Sequence, residues 1–221
     1  MDAAGWDDRY AERELVWSLE PNVWVEQLTA DLPPGRALDL AAGEGRNALW
    51  LAERGWDVTA VDFSSVALDR ARRLGRDRLG SDAGSLTIVR ADLLEYEPPA
   101  AAYELVLLVY LHLRDPERRR VVRAAASAVA PSGRLLVIGH DLGNIAHGTG
   151  GPQDPAVLYS PADIEANLRG TGVVVERAET MTRPVETDEG TAWALDTVVL
   201  ARTAQPSPLR RSSSPSSSNR A

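Results

Sequence analysis

One segment near the start of the chain constrains its fold more than any other: residues 37–64, ALDLAAGEGRNALWLAERGWDVTAVDFS. It holds a short apolar strand pattern, a turn that carries Gly43 and Gly45, and a helical pattern. A second strand pattern then ends at Asp62, 19 residues after Gly43. A strand, a glycine turn, a helix and a distal acid in this order predict the nucleotide-binding unit of a doubly wound sheet.

Each part of this segment has a physical reason. Glycine lets the backbone approach a ligand closely and adopt a positive φ. An acid at the end of the second strand accepts hydrogen bonds from ribose hydroxyls in such sheets. A plain strand-to-helix turn with a capping acid explains a glycine pair alone, but it does not explain the whole arrangement. The sequence therefore predicts that Asp62 binds the ribose of a nucleotide.

The charges in the turn indicate which nucleotide binds. A dinucleotide site is expected to read G-x-G-x-x-G, with a pyrophosphate at the helix N-terminus. Here the turn reads AAGEGRNA, with Asp39 just before it and Glu44 inside it. Two carboxylates repel a pyrophosphate but attract a ligand that carries ammonium and sulfonium cations. This favours S-adenosylmethionine over NAD or FAD.

The rest of the chain alternates strand and helix patterns. Strand patterns occupy residues 36–41, 57–62, 85–90, 103–110 and 133–140, and helical patterns occupy 45–54, 64–78 and 116–130. A helix near 161–170 and strands at 172–180 and 191–202 follow. The link Thr182–Gly190 is too short for a crossover helix, so the last two strands are predicted to form an antiparallel hairpin. The predicted fold is therefore α/β, doubly wound and mostly parallel.

Length and composition predict one domain and a tail. The 221 residues are 44% apolar, which suffices for a sizeable core. We assign residues 1–203 to the domain, with residues 1–35 as an N-terminal helical cap. Residues 204–221 are rich in serine and proline, and are predicted to be a disordered tail.

Charge and residue usage exclude several functions. The 32 acidic and 24 basic residues give a net charge of -8, which disfavours DNA or RNA as a partner. The sequence has no cysteine or lysine, so disulfides, thiolate zinc sites and lysine Schiff bases are excluded. No apolar run reaches the roughly 20 residues that cross a bilayer, and no signal-peptide pattern is visible. We expect a cytoplasmic protein with no membrane partner.

Residues 37–64 resemble motifs I and II of the class I S-adenosylmethionine-dependent methyltransferases. The form LDLxxGxGRNxxxLAxxGxxVTxxD is similar to the tellurite-resistance and thiopurine methyltransferase branch. The resemblance implies a Rossmann-like sheet of seven strands whose last strand is antiparallel. It also implies S-adenosylmethionine as cofactor and methyl transfer to a small-molecule acceptor.

The same resemblance assigns the cofactor-binding residues. Asp39, Gly43 and Gly45 would flank the methionine portion, with Ala41 at the place of the family's usual first glycine. Arg46 would pair with the methionine carboxylate, Asp62 with Phe63 would hold the ribose, and Asp92 with Leu93 would bind the adenine. The related branch folds its N-terminal segment over the cofactor, which makes Trp6 and Tyr10 candidates for covering it.

The candidate catalytic residues follow the fourth and fifth strands. Ligands of open α/β sheets lie beyond the carboxyl ends of the strands, where the sequence places Tyr110, His112 and His140. Histidine is the natural base near neutral pH. His112 ranks first because it follows the strand nearest the reactive end of the cofactor.

A metal site is not predicted. His112, His140, Asp141 and Asp154 could supply ligands, but they lack a recognisable ligand spacing. The third histidine, His147, lies in a glycine-rich loop, residues 144–155, that we expect to border the acceptor pocket or to act as a lid.

Two other functions fit the same fold. An NAD-dependent oxidoreductase shares the sheet, but it should show G-x-G-x-x-G and a hydride-transfer constellation. A catalytically silent nucleotide-binding regulatory protein is the other alternative, because a fold does not fix function. Assembly as a homodimer also stays open.

Overall fold

The structure is a computed structural model that describes residues 5, 7, 19–80, 84–188 and 190–203. The strands are β1 (Arg36–Leu40), β2 (Asp57–Asp62), β3 (Leu86–Arg90), β4 (Tyr103–Val109), β5 (Val129–His140), β6 (Val173–Thr187) and β7 (Gly190–Thr203). The helices are α1 (Val23–Thr29), α2 (Arg46–Ala52), α3 (Ser65–Arg78), α4 (Asp115–Ala128), α5 (Asn144–His147) and α6 (Pro161–Leu168). Within these ranges, no helix is both long enough and apolar enough to cross a membrane.

The seven strands form one sheet in the order β3-β2-β1-β4-β5-β7-β6. β1 pairs in parallel with both β2 and β4, while β7 is antiparallel to both of its neighbours, β5 and β6. This confirms the predicted doubly wound fold with its C-terminal hairpin. The strand order reverses between β1 and β4, and ligands of such sheets bind at the carboxyl ends beside this reversal.

The core lies on both faces of the sheet. Leu105, Leu107 and Val109 of β4 pack on the side covered by α1 and α2. Val106 and Leu108 pack on the side covered by α4 and α6. β4 is thus buried on both faces, as expected for a central strand with an uninterrupted apolar sequence.

The C-terminal hairpin is longer than its sequence pattern predicts. The expected strands covered 172–180 and 191–202, whereas β6 runs through Thr187, which pairs with Gly190. Pro184 does not end β6, because an edge strand has one side that needs no ladder hydrogen bond. Residues 182–187 and 190–195 extend beyond the last β5 pair, His140 with Asp196, and we call them the hairpin ribbon.

Gly139 of β5 has a packing reason to be glycine. A Cβ atom there would lie 1.9 Å from the hydroxyl oxygen of Tyr159 and 2.4 Å from Cζ of the same ring. Tyr159 is fully buried, and its hydroxyl donates to the Ile138 carbonyl at 3.2 Å. The ring therefore has little room to move away.

We predict that Gly139→Ala lowers the free energy of unfolding by about 1–3 kcal/mol, because overpacking displaces the Tyr159 ring. Urea denaturation measures this difference. Gly80→Ala is the control, since a Cβ at Gly80 meets no atom within 4 Å. A Gly139→Ala protein as stable as the control would contradict the packing argument.

Candidate cofactor and acceptor site

The turn after β1 contains three residues with left-handed backbone: Ala41 (φ 60°), Gly43 (φ 54°) and Gly45 (φ 82°). Gly45 is also the N-cap of α2, and a Cβ there would lie 3.0 Å from Cβ of Ala71 in α3. Glycine is therefore required at position 45 by both conformation and packing. Ala41 takes a conformation that costs a non-glycine residue about 1–2 kcal/mol.

Asp62 ties this turn to the end of β2. One of its carboxylate oxygens accepts from the backbone N–H of Gly43 at 2.8 Å, and the other accepts from that of Ser64 at 2.9 Å. Burial raises the pKa of Asp62, and these backbone N–H groups oppose that shift. Because each carboxylate oxygen has two lone pairs, Asp62 can also accept from ribose hydroxyls.

Asp39 is buried without a matching partner. Neither of its oxygens accepts a well-formed hydrogen bond from the described residues, although the backbone N–H of Ala48 lies near enough to lower the pKa slightly. Burial and the negative charge of Asp62 raise the pKa of Asp39 to about 7, against the opposing charge of Arg46. An unpartnered buried carboxylate at the end of β1 suits a cationic ligand group.

The second acid of the turn is already neutralised. Glu44 is buried and forms a 2.7 Å ion pair with Arg70 of α3. Because Arg70 offsets the charge of Glu44, the predicted repulsion of a pyrophosphate now depends mainly on Asp39. This pairing could not be read from spacing, because Arg70 lies 26 residues further along the chain.

The expected adenine residues follow β3. Asp92 is exposed, and one of its carboxylate oxygens accepts from the Leu94 N–H at 2.9 Å, so it caps the turn after that strand. Leu93 is half-buried against the core. The backbone N–H of Ala91 donates to the Asp62 carbonyl at 3.0 Å, which brings this turn beside the end of β2.

The N-terminal segment reaches the same edge. Asp7 accepts hydrogen bonds from the hydroxyls of Ser64 and Ser65 at the start of α3. Phe63, the predicted ribose neighbour, directly precedes Ser64 and is half-buried. Trp6 and Tyr10 lie outside the described residues, as does the predicted tail, residues 204–221.

The candidate catalytic side chains form a stack at the ends of β4 and β5. The ring centres of Tyr110 and His140 are 4.9 Å apart, and those of His112 and His140 are 5.5 Å apart. Tyr110 takes a left-handed backbone (φ 57°) directly after β4, which is strained for a bulky residue. Its hydroxyl donates to Asp196 at 3.0 Å, and burial raises its pKa, so it stays protonated near neutral pH.

His112 is engaged by the backbone. Its Nε2 accepts from the backbone N–H of His140 at 3.1 Å. Burial and the neighbouring His140 lower the pKa of His112 to about 3, so its ring is neutral near pH 7. This geometry favours a role for His112 in holding the end of β5. It leaves His140 as the candidate base, because its ring nitrogens form no hydrogen bond with the described residues.

The remaining candidates are not gathered into this stack. His147 is exposed at the end of α5, and Asp154 pairs with Arg114 at 3.1 Å. Asp141 accepts from the hydroxyls of Thr180 and Thr197. No group of three or more metal-ligating side chains occurs within the ranges given above.

The sequence analysis did not identify Asp196, the acid beside the ends of β4 and β5. Asp196 is fully buried and contacts Tyr110, His140, Trp24 and Arg183. A signal was present, because Asp196 is the only acid in the otherwise apolar pattern of the last strand. Buried acids need partners, so an acid in a central strand is a candidate site residue.

The glycine turn and its acids thus lie at the switch point of a doubly wound sheet. Residues 37–133 match the family model described as a methyltransferase domain. A ubiquinone biosynthesis O-methyltransferase from Bordetella avium is 30% identical over 135 residues, which cover 59% of this chain and 54% of that protein. The chain thus spans about half the length of this curated relative.

Solved structures share the fold. One, from work on the conversion of a disulfide bond into a thioacetal group during echinomycin biosynthesis, has a TM-score of 0.71 at 19% identity and covers 93% of both chains. Magnesium protoporphyrin IX methyltransferase from Synechocystis, with bound S-adenosylhomocysteine, has a TM-score of 0.61 at 19% identity and covers 90% of this chain and 84% of that one. Residues 37–133 are thus similar to a methyltransferase domain, and the chain shares its fold with a solved methyltransferase.

We predict that Ala41→Gly raises the free energy of unfolding by about 0.5–1 kcal/mol, because relief of left-handed strain exceeds the added entropy of the unfolded chain. Chemical denaturation measures this change. Ala60→Gly in β2 is the control and should lower the stability by about 1 kcal/mol, since Ala60 has no positive φ. Equal losses in both variants would contradict strain at Ala41.

Proposed function

We propose that this protein is an S-adenosylmethionine-dependent methyltransferase that methylates a small-molecule acceptor, as in the tellurite-resistance and thiopurine branch that motif I resembles. The observation that carries this proposal is Asp39, a buried carboxylate beside a glycine turn whose oxygens accept no well-formed hydrogen bond from the described residues. A dinucleotide places a pyrophosphate near this position, where Asp39 would repel it, whereas the ammonium of S-adenosylmethionine would pair with it.

Each described cofactor residue has a role under this proposal. Asp39 attracts the ammonium, Arg46 at the start of α2 pairs with the methionine carboxylate, and Asp62 accepts from the ribose hydroxyls. Phe63 lies beside the ribose, Asp92 and Leu93 border the adenine, and the left-handed turn 41–45 brings backbone N–H groups close to the ligand. Bound S-adenosylmethionine supplies a methyl group on a positively charged sulfur.

The acceptor lies between the ends of β4 and β5 and the hairpin ribbon. Tyr110, His112 and His140 face this edge. Positioning the acceptor in line with the methyl group can account for about 7–11 kcal/mol of barrier reduction. The chain's residues therefore need to align the acceptor and, where it carries a proton, to remove that proton.

A small acceptor agrees with the charge and the relatives. The net charge of -8 disfavours nucleic acid. The Bordetella relative is named for ubiquinone biosynthesis, which points to a small organic acceptor. Asp7 accepts a hydrogen bond from Ser64, just before α3. This contact supports the proposal that the N-terminal segment covers the cofactor, with Trp6 and Tyr10 as the covering residues.

Binding measurements test the cofactor assignment. We expect S-adenosylmethionine and S-adenosylhomocysteine to bind in calorimetric titrations and NAD not to bind. Asp62→Ala should weaken both adenosyl ligands by about tenfold or more, because ribose hydroxyls lose a charged acceptor. Asp69→Ala, at an exposed acid of α3, is the matched control. Binding of NAD in preference to the adenosyl ligands would overturn the proposal.

The pH dependence of binding tests Asp39. Its carboxyl has a pKa of about 7 in the free protein, and only the ionised form pairs with an ammonium. Affinity for S-adenosylhomocysteine should therefore be highest above this pKa and fall about tenfold for each pH unit below it. Asp39→Asn should bind weakly with little pH dependence, while Asp69→Asn should behave as wild type. A flat profile in the wild-type protein would contradict this role.

A further inference from the structure

Asp196 is the centre of a buried hydrogen-bond network. One of its carboxylate oxygens, Oδ2, accepts from Nε1 of Trp24 at 2.9 Å, from the Tyr110 hydroxyl at 3.0 Å and from Nε of Arg183 at 3.0 Å. The three donors come from α1, the end of β4 and β6. This arrangement fixes the carboxylate plane, because a rotation would break several bonds at once.

The other oxygen, Oδ1, lacks a hydrogen bond and faces His140. Oδ1 lies 3.5 Å from Nδ1 of His140, and both atoms are buried without a partner among the described residues. The two residues are directly opposite each other in the β5–β7 pairing. A small rotation of the ring brings Nδ1 within hydrogen-bond distance of Oδ1.

The second ring nitrogen of His140 is not engaged by the described residues. Gly151 of the glycine-rich loop approaches the edge that carries it, and a Cβ there would lie 2.9 Å from Nε2 and 2.6 Å from Cδ2. The Nδ1 side of His140 therefore faces Asp196, while its Nε2 side faces the glycine-rich loop, residues 144–155, which is expected to border the acceptor pocket.

We infer that Asp196 is a positioning residue that holds His140 with its proton on Nδ1, so that Nε2 removes a proton from an oxygen or nitrogen acceptor. The inference rests on the proposed methyl transfer and narrows its substrate class. A thiolate attacks without losing a proton and needs no such base, whereas a phenol, alcohol or amine does. The pair therefore points to a protic acceptor.

The charges around His140 suit this task. Among the described residues, Asp196 is the one acid in contact with His140, and Arg183 offsets part of that negative charge. Burial and Arg183 lower the pKa of His140, while Asp196 raises it, so the ring is neutral and ready to accept a proton near pH 7. His112 and Tyr110, stacked on the same ring, are uncharged at that pH. Once protonated, His140 is stabilised by the adjacent carboxylate.

In the proposed methyl transfer to an oxygen acceptor, every electron pair and proton has a destination. A lone pair of the acceptor oxygen forms a bond to the methyl carbon as the carbon–sulfur electron pair returns to sulfur. The acceptor proton moves to Nε2 of His140, which becomes an imidazolium paired with Asp196. The products are a methyl ether and S-adenosylhomocysteine, and the imidazolium later releases its proton to water.

A tautomer measurement tests the role of Asp196 without any activity assay. The chain contains three histidines, so long-range ¹H–¹⁵N spectra of histidine-labelled protein are simple to assign with a His140→Gln and a His147→Gln variant. We expect His140 to carry its proton on Nδ1 in the wild-type protein. In Asp196→Asn, an amide that donates toward Nδ1 should shift the proton to Nε2. A wild-type His140 protonated on Nε2 would overturn the inference, even if the variant failed to fold.

Activity on paired acceptors tests the acceptor class. With S-adenosylmethionine, catechol and 4-nitrothiophenol as probes, the last of which is already a thiolate at neutral pH, Asp196→Asn should lower kcat for catechol by about 100-fold and leave KM and the thiolate reaction nearly unchanged. Asp69→Asn is the control for a surface change of the same kind. Equal losses on both acceptors would indicate a structural role and contradict the inference. If neither acceptor is methylated although S-adenosylmethionine binds, the tautomer still decides the role of Asp196, and the proposed methyl transfer fails separately.

Discussion

Burial of carboxylates at the carboxyl edge of the sheet is the constraint on which this site depends. Three carboxylates there are almost fully buried, those of Asp39, Asp62 and Asp196, and they differ in their hydrogen-bond partners. Asp62 is satisfied by backbone N–H groups, and Asp196 by three side-chain donors on one oxygen. Asp39 has no such hydrogen-bond partner in the part of the chain that the structure describes. Since a buried unpaired charge is expensive, the fold keeps one acid in a state that a cationic ligand can relieve.

The backbone is strained at the same place. The first residue after β1 is Ala41 and the first residue after β4 is Tyr110, and both have a left-handed φ near 60°. These two strands flank the point where the strand order reverses. At both strand ends the backbone therefore turns sharply away from the sheet. The two turns border the crevice between β1 and β4, and the turn at Tyr110 directs its ring toward Asp196. Strain that persists in non-glycine residues on both sides is characteristic of a functional site.

Local sequence patterns were enough to predict the fold and the cofactor turn. They were not enough to predict which partners the charged side chains would have. Each strand pattern lies within a short stretch of sequence, and so do the glycine turn and Asp62. Hydrophobic periodicity and residue spacing were therefore enough to identify them. The Glu44–Arg70 pair and the contact between Trp24 and Asp196 join residues 26 and 172 positions apart. Such contacts depend on the register of the sheet, which no short window contains. Ranking His112 above His140 rested on strand order alone, because the backbone hydrogen bond to its Nε2 is visible only in three dimensions.

The hairpin explains why the two halves of the site are linked. Asp196 lies on β7, which inserts between β5 and β6 and therefore places a residue from the end of the chain opposite His140. Trp24 on α1 donates to the same carboxylate, so the segment before β1 is tied to the hairpin through one buried acid. Any movement of α1 on cofactor binding would change the hydrogen bonds of Asp196 and, through Oδ1, the orientation of the His140 ring. The backbone N–H of Asn22, just before α1, donates to Asn47 of α2, so direct contacts connect the helix after the glycine turn with Asp196 and the proposed acceptor site.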